Sequence, residues 1–410
     1  MKTFKTYISE EKNTHMRHLD DLVIYGGVNG ARQAIFALRD LRDMLSSKKK
    51  GTISIKWDGA PSLFAGTDPS DGKFFVAKKG IFNKNPKVYK TNADVDADTT
   101  GDLATKLKLA LQYLPAIGIK GVIQGDFLFS ANDIKQSNIA GEPYTTFHPN
   151  TIVYAVPHRD KEAVKKIKDA KIGIVWHTTY HGNSFEEMKA SYGVDVKALR
   201  QNKNVFQVDA MLRDMSKFTM TERETKEVND LLSRAGKIFN QISGNALRQL
   251  EAHDILSTHI ETFNNSFVRD GTVVKDTGRH VEHLIKWIEA RYKKEMDKRS
   301  TDKGKAAQQS KLDAILDFFS HANKKALKLI FDLQKVLILA KLKLINTFNR
   351  LKSIGTFVKT ADGYKVTGHE GYVAIDQLGG GAVKVIDRME FSFNNFSRDI
   401  IKGWDSQGRN

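Results

Sequence analysis

Short stretches in which apolar residues alternate with polar ones or run together recur along the first part of the chain: TISIKW, SLFAG, KFFVAKK, GVIQGDFLF, TIVYAVP and IGIVWHTTY. Stretches of this length and make-up predict β-strands. Two helical patterns interrupt them. GGVNGARQAIFALRDLRDML predicts a helix from about Ala31 to Leu45 entered through a glycine-rich turn, and DLATKLKLALQYL predicts a second. The entry at Gly26 to Gly30 has the form of a phosphate-cradling turn, although such glycines more often serve turns and caps.

From about Gly182 to Leu351 the period changes. Ile330, Leu333, Leu337, Ala340, Leu344, Phe348 and Leu351 recur at three- and four-residue steps, the spacing of one buried helix face. Lys324, Lys325, Lys328, Lys335, Lys341 and Lys343 crowd the remaining surface. After Ser353 strand signals return in GTFVKT, YKVTG, GYVAID and AVKVID. The pattern therefore predicts an α+β protein: a β-rich domain made of residues 1–181 and 353–410, with a basic helical domain, residues 182–352, inserted between its two parts.

Composition narrows the partners. The net charge of +17 favours a polyanion such as nucleic acid, through phosphate neutralisation and counterion release. In the segment RYKKEMDKRSTDKGK, Arg291, Lys293, Lys294, Lys298, Arg299, Lys303 and Lys305 face only Glu295, Asp297 and Asp302, which suits either a solvated helix end or a phosphate-contacting surface. The absence of cysteine excludes disulfides, thiolate nucleophiles and cysteine-based zinc sites. MKTFKTYISEEKNTH lacks the apolar core of a signal peptide, and Asp332, Lys335, Lys341 and Lys343 break the most apolar later stretch. No membrane partner and a cytoplasmic location are expected.

The chemistry concentrates first in ISIKWDGAPS. Lys56 lies inside a strand-like run and is followed at once by Trp57 and an Asp58-Gly59 turn. One reading is a hairpin with a solvated lysine. The other is a nucleophile on a rigid strand end, partly desolvated so that its amine can lose a proton. Three later sites complete a pocket for a nucleotide. Asp126 follows Gly125 on an apolar strand, where a carboxylate can accept from ribose hydroxyls or hold a metal-bound water. Glu370 precedes a glycine and a strand in HEGYVAID, and Lys384 sits inside the strand of GGGAVKVIDR. Two lysines aimed into one pocket repel, which lowers the pKa of one and leaves the other for phosphate.

KWDG, QGD, TIVYAVP, HEGYVA and AVKV, in that order, resemble nucleotidyl-transferase motifs I, III, IIIa, IV and V of the covalent nucleotidyltransferase superfamily, which holds ATP-dependent DNA and RNA ligases and mRNA capping enzymes. The whole also resembles ligase-like proteins of large tailed phages. The resemblance spans roughly residues 50 to 180 and 355 to 390. It implies an adenylation domain of antiparallel sheets, ATP and magnesium as cofactors, RNA or DNA ends as partners, and a monomer in the cytoplasm, the host's if the chain is phage-encoded. Residue by residue, it implies that Lys56 forms a phosphoramidate with AMP and that Asp58 organises the metal or its waters. Asp126 contacts the ribose and the metal, Tyr154 stacks on adenine, Glu370 binds magnesium and Lys384 holds the α-phosphate. Ile55 and Lys79 complete the nucleotide-binding set.

The sequence departs from that pattern at several points. Pro61 stands where a basic or polar residue is usual, and Asp126 where glutamate is common. The motif Ia arginine has Lys78 or Lys79 in its place, and motif V offers one lysine instead of two. Too little chain follows Lys384 for a C-terminal OB domain, which tilts the expectation toward an RNA-ligase-like enzyme. The rival readings are a nucleotidyltransferase that modifies an end without sealing it, and a non-catalytic nucleic-acid-binding protein with a ligase-like fold. FVRDGTVVKD imitates motif IV through Asp270, with Lys286 beyond it, but the helical spacing around Lys286 favours Glu370 and Lys384. His177 and His181 share a strand face without a nearby third ligand, so strand packing is expected for them. His15 and His18, before Asp20 and Asp21, read as a surface cluster.

Overall fold

The computed structural model describes residues 16–46, 52–212, 220–350, 354–375 and 382–406. Counting the longer helices only, α1 is Gly27–Leu45, α2 Gly101–Tyr113, α3 Lys161–Asp169, α4 Glu222–Phe239, α5 Gly244–Ala252, α6 Asp254–Arg269, α7 Thr277–Asp297, α8 Asp302–Leu316, α9 Lys324–Asn349 and α10 Arg388–Phe396. The strands are β1 Thr52–Lys56, β2 Ser62–Thr67, β3 Phe74–Ala77, β4 Val122–Ser130, β5 Lys135–Ile139, β6 Glu142–Phe147, β7 Ile152–Pro157, β8 Ile172–His181, β9 Lys189–Tyr192, β10 Val205–Asp209, β11 Met211–Leu212, β12 Gly355–Thr360, β13 Gly363–Val366, β14 Gly371–Ile375 and β15 Ala382–Val385. Among the described residues no helix is long and apolar enough to cross a membrane.

Three sheets result. The first runs β11-β1-β14-β15, the second β10-β8-β4-β2-β3 with β9 also on β8, and the third β13-β12-β7-β6-β5. Their pairings are antiparallel apart from β10 on β8. The second and third sheets share a core of Trp57, Leu128, Phe129, Phe147, Tyr154 and Val175. On the other face of the second sheet α2 and the turn after it bury Leu107, Ala110 and Leu114 against Leu63, Ile123 and Trp176. That division follows from strand periodicity, since Val175 and Trp176 point to opposite sides.

The first sheet packs on helices instead. Ile53, Tyr372 and Val385 join a core with Ala34, Leu38 and Leu41 of α1, Val228 and Leu232 of α4, and Ile330, Leu337 and Leu344 of α9. Two expectations change here. α1 belongs to the helical core, and the long helical run starts at Glu222, where Thr221 and Glu224 close a capping box, not at residue 182. The strands β9, β10 and β11 precede it. They are short and largely half-buried or exposed, so they carry little of the alternation that marks a strand. The Gly26 to Gly30 entry serves packing: a Cβ on Gly30 would stand 2.3 Å from the Leu22 carbonyl oxygen. The carboxylate of Glu251 abuts Gly27, which disfavours a phosphate there.

The helical core also holds charge. Lys341, expected on the surface, is 1% exposed and pairs with Asp20. Arg388 donates to Asp20 Oδ2 at 3.0 Å, to Asp21 Oδ1 at 3.0 Å, and to Asn265. Asp20 and Asp21 are thus buried, not a surface cluster with His18, and His15 lies outside the described residues. Burial pushes Asp21 up to about 7, with Asp20 beside it adding to the rise and Arg388 opposing it. The carboxyl of Asp20 stays well below its usual range because Lys341 and Arg388 outweigh its burial.

His259 and His280 lie in the same core, against Trp287 and Tyr292 and against Phe263 and Phe331 respectively. Burial lowers both imidazoles to about 4. The folded chain keeps them neutral while the unfolded chain protonates them near ~6.5, so their contribution is present above that pH and is lost as pH falls toward 4. Asp21, being raised, acts in the opposite sense, and a comparison with a variant separates the two. Between pH 7 and pH 5 the wild type should lose more denaturant stability than His259→Gln/His280→Gln. Equal losses would mean that the imidazoles protonate freely in the fold.

Candidate active site

Lys56 ends β1, and the register of the first sheet fixes its neighbours. Lys56 lies opposite Gly371, Ser54 opposite Val373, and Val373 opposite Lys384. Directly paired residues share a face and the side-chain period is two, so Lys56 and Lys384 project from the same side. That side is the one turned away from the helices, because Ile53, Tyr372 and Val385 take the other. Glu370, next to Gly371, forms an ion pair with Lys56. Gly371 has no room for a side chain, since a Cβ would meet Ile386 Cγ1 at 2.5 Å.

The turn after Lys56 is fastened on both sides. Trp57 enters the core and packs on Tyr154, ring centroids 4.8 Å apart. The Asp58 backbone N–H donates to Tyr154 Oη at 2.7 Å. The Asp58 carboxylate accepts from Asn150 Nδ2 at 2.6 Å and from the backbone N–H groups of Thr151 and Ile152, both at 2.7 Å. Burial raises its pKa, and those three donors oppose the rise. Gly59 passes so close to β4 that a Cβ would lie 2.6 Å from Asp126 Cβ. Beyond the cis Ala60-Pro61 bond, the Ala60 N–H donates to the Phe127 carbonyl and the Phe127 N–H to the Pro61 carbonyl, each at 2.9 Å. Lys56 is therefore held by a rigid loop while its side chain keeps 31% exposure.

Electrostatics link the rest. Burial raises Glu370 to about 7, with Lys56 opposing the rise and Asp58 and Asp126 adding to it. Burial lowers Lys384, and the positive charges of Lys56 and Lys79 lower it further. Lys79 is exposed and near enough for its charge to act on Lys384, whereas Lys78 is taken up by Asp98 at 3.0 Å. Asp126 faces His177, with His177 Nε2 3.5 Å from its Oδ2. The ladder between β4 and β8 shifts register at Gln124 and Gly125, skipping His177, and such a bulge re-aims a side chain. The sequence carries no sign of the bulge, which is why His177 read as packing. His181 is exposed.

The structure thus places Lys56 and Lys384 on one face of the first sheet with Glu370 paired to Lys56, brings Asp126 and Lys79 near enough to act on them, and adds His177 beside Asp126, whereas Ile55 pairs with Tyr372 on the opposite, helix-facing side and does not join them. Two other expected roles change. Tyr154 is fully buried, with Trp57 on its ring and Phe147 stacked 5.4 Å away, so it presents no face to a base and instead positions the turn. Asp58 spends its carboxylate on the start of β7, so it anchors the turn and is no free metal ligand. Among the described residues no group of three or more acidic or histidine side chains is gathered for a metal. Glu370 and Asp126 still suit magnesium, which keeps several waters and takes one or two carboxylates together with substrate phosphates. Asp270 caps the C-terminal end of α6 and Lys286 is exposed on α7, so neither belongs to a sheet.

Residues 13–399 match the model of a family of unknown function, DUF6267. The chain is a DUF6267 protein. No curated protein matches it, and no solved structure does. In this DUF6267 member, Tyr154→Phe should cost ~1–3 kcal/mol in denaturant unfolding, since it strands the buried Asp58 N–H. A loss below ~0.5 kcal/mol would show that the turn does not depend on this bond.

Proposed function

We propose that this protein is an ATP-dependent, RNA-ligase-like polynucleotide ligase that works through a lysyl-AMP intermediate on RNA or mixed RNA and DNA ends. The observation that carries the reading is the meeting of Lys56, Glu370 and Lys384 in one cleft, from segments at opposite ends of the chain. The order of the motifs supports it independently.

In this reading Lys56 Nζ gives its proton to Glu370, the adjacent carboxylate raised by burial, and attacks the α-phosphorus of ATP. An N–P bond forms and pyrophosphate leaves with the bonding pair. The oxygen of a polynucleotide 5′-phosphate then attacks the lysyl-AMP, freeing Lys56 and leaving AMP joined through a pyrophosphate bond. Last, a 3′-hydroxyl gives its proton to solvent and attacks the 5′-phosphorus, and AMP leaves with the bonding pair. Lys384 and Lys79 neutralise charge on the α-phosphate and its neighbours. Asp126, and Glu370 while it is ionised, would hold magnesium, which would supply further charge neutralisation. Asp126 is set to accept from a ribose hydroxyl, steadied by His177. The exposed Lys293, Lys294, Lys298 and Arg299 of the helical part offer phosphate contacts to the polynucleotide.

Incubation with labelled ATP and magnesium, followed by a denaturing gel, tests the reading: a labelled protein band is expected, and its absence would favour a binding protein with a ligase-like fold. Adenylylated protein that never seals a nicked or splinted end would favour the end-modifying transferase. Glu370→Ala and Lys384→Ala should each slow adenylylation by at least ~100-fold, as loss of a charge-stabilising group commonly does, while Asp270→Ala leaves it near wild type. Single-turnover rates in the reverse order would place the site elsewhere.

A further inference from the structure

The fold buries most of its large aromatic side chains but leaves Phe393 52%, Phe396 67% and Trp404 51% exposed within one short stretch. Phe393 and Phe396 are three residues apart on α10 and so share a face. On other sides of that helix Glu390, Phe391, Asn394 and Asn395 line a small pocket with Asp58, Ile345 and Glu370. The segment bearing Trp404 is pinned against the same helix. Lys402 Nζ donates to the Asn395 carbonyl at 2.8 Å and lies 5.2 Å from the centre of the Trp404 ring. The Gly403 N–H donates to the Asn150 carbonyl at 2.7 Å, and a Cβ there would strike the His148 carbonyl at 2.0 Å. Asn150 is the residue whose side chain holds Asp58, so the aromatic face and the Lys56 turn are tied to one loop.

We propose that Phe393, Phe396 and Trp404, with Lys402, form a stacking platform for single-stranded polynucleotide on the outer side of α10. Separate aromatic rings with a lysine beside one of them suit bases and a phosphate, and base stacking is tolerant of sequence. A duplex keeps its base faces covered and would leave the rings idle. A protein partner fits less well, because the chain as a whole carries +17 and the patch offers rings among charges instead of a continuous aliphatic surface. The proposal takes the class of partner from the ligase reading, but its binding test needs no ATP.

Titrating the full chain with a short oligo-uridine and an oligo-thymidine, read by tryptophan fluorescence and by anisotropy of a labelled strand, tests it. Trp57 and Trp176 are buried and Trp287 is half-buried against His259 and Phe263, so the part of the quench that Trp404→Leu removes is the part a base stacked on Trp404 causes. Trp404→Leu should remove most of the quench and weaken binding roughly tenfold, as loss of one base–aromatic stack does. Trp404→Phe should recover most of the affinity, and the salt slope should stay unchanged because no phosphate contact is lost. Wild-type affinity in a folded Trp404→Leu/Phe396→Leu variant would overturn the proposal. So would an equal loss of affinity for blunt duplex, or a dimer in sedimentation that the variant disperses without any change in strand binding. If the platform binds strand while the wild type forms no adduct with ATP, the ligase reading fails and the platform stands.

Discussion

Lys56→Arg should fold as the wild type does and form no adduct with ATP. Arginine keeps the positive charge that pairs with Glu370, so the cleft retains its ion pair. It cannot supply a neutral amine at workable pH, and its guanidinium is a poor nucleophile. The loss should therefore lie on the order of 10⁴-fold or more, the scale at which a covalent nucleophile is removed. Lys56→Ala should show the same loss of adduct and in addition leave Glu370 buried without its partner, so the two variants agree in chemistry and differ in stability. A labelled band surviving in Lys56→Arg would remove Lys56 as the nucleophile. A band that moved to a peptide containing Lys384 would exchange the roles of the two lysines.

The second large effect concerns stability. Arg388→Met should cost ~3–5 kcal/mol in denaturant unfolding, because it takes the Arg388 ion pair from buried Asp21 and leaves buried Asp20 with Lys341 alone of the two cations. Asp21→Asn should cost far less, since burial already pushes this carboxyl up to about 7 and the amide resembles its protonated form. A loss under ~1 kcal/mol for Arg388→Met would mean that water reaches the cluster. Because Arg388 opens α10 and Lys341 lies in α9, the same variant should loosen the C-terminal helix from the helical core, which hydrogen exchange along α10 would register.

Much of the fold was legible, for physical reasons that differ from element to element. α9 announces itself because a helix buried along one stripe repeats its apolar residues at a fixed step. β1, β4, β14 and β15 are apolar enough to read as strands, and the Asp58-Gly59 turn is written in its own chemistry. The residues around Lys56 could be chosen before any coordinates, because each pairs a charged side chain with a glycine or an apolar strand. Other features depend on partners distant in sequence. Tyr154 is sealed by Trp57, and Asp58 is consumed by the start of β7. His177 reaches Asp126 through a bulge, and Lys341 is drawn inside by Asp20 and Arg388. None of these leaves a local pattern, since the residue types would look the same on a surface. The edge strands β9 to β11 escaped notice because strands with little buried surface have little reason to alternate.

The pairing of β1 with β14 has a consequence for how the protein is born. A ribosome adding about 5–20 residues each second delivers Lys56 early and Glu370 tens of seconds later. Through that interval the central strand of the first sheet has neither β14 nor its neighbour β15, and α1 waits for α9. The emerging polypeptide therefore carries a strand that only β11 can pair and whose other edge stays open, a temptation for other chains that chaperones would have to shield. It also cannot assemble the Lys56 cluster prematurely: a truncated product lacking the last tenth of the sequence would hold the lysine without its carboxylate or its second lysine.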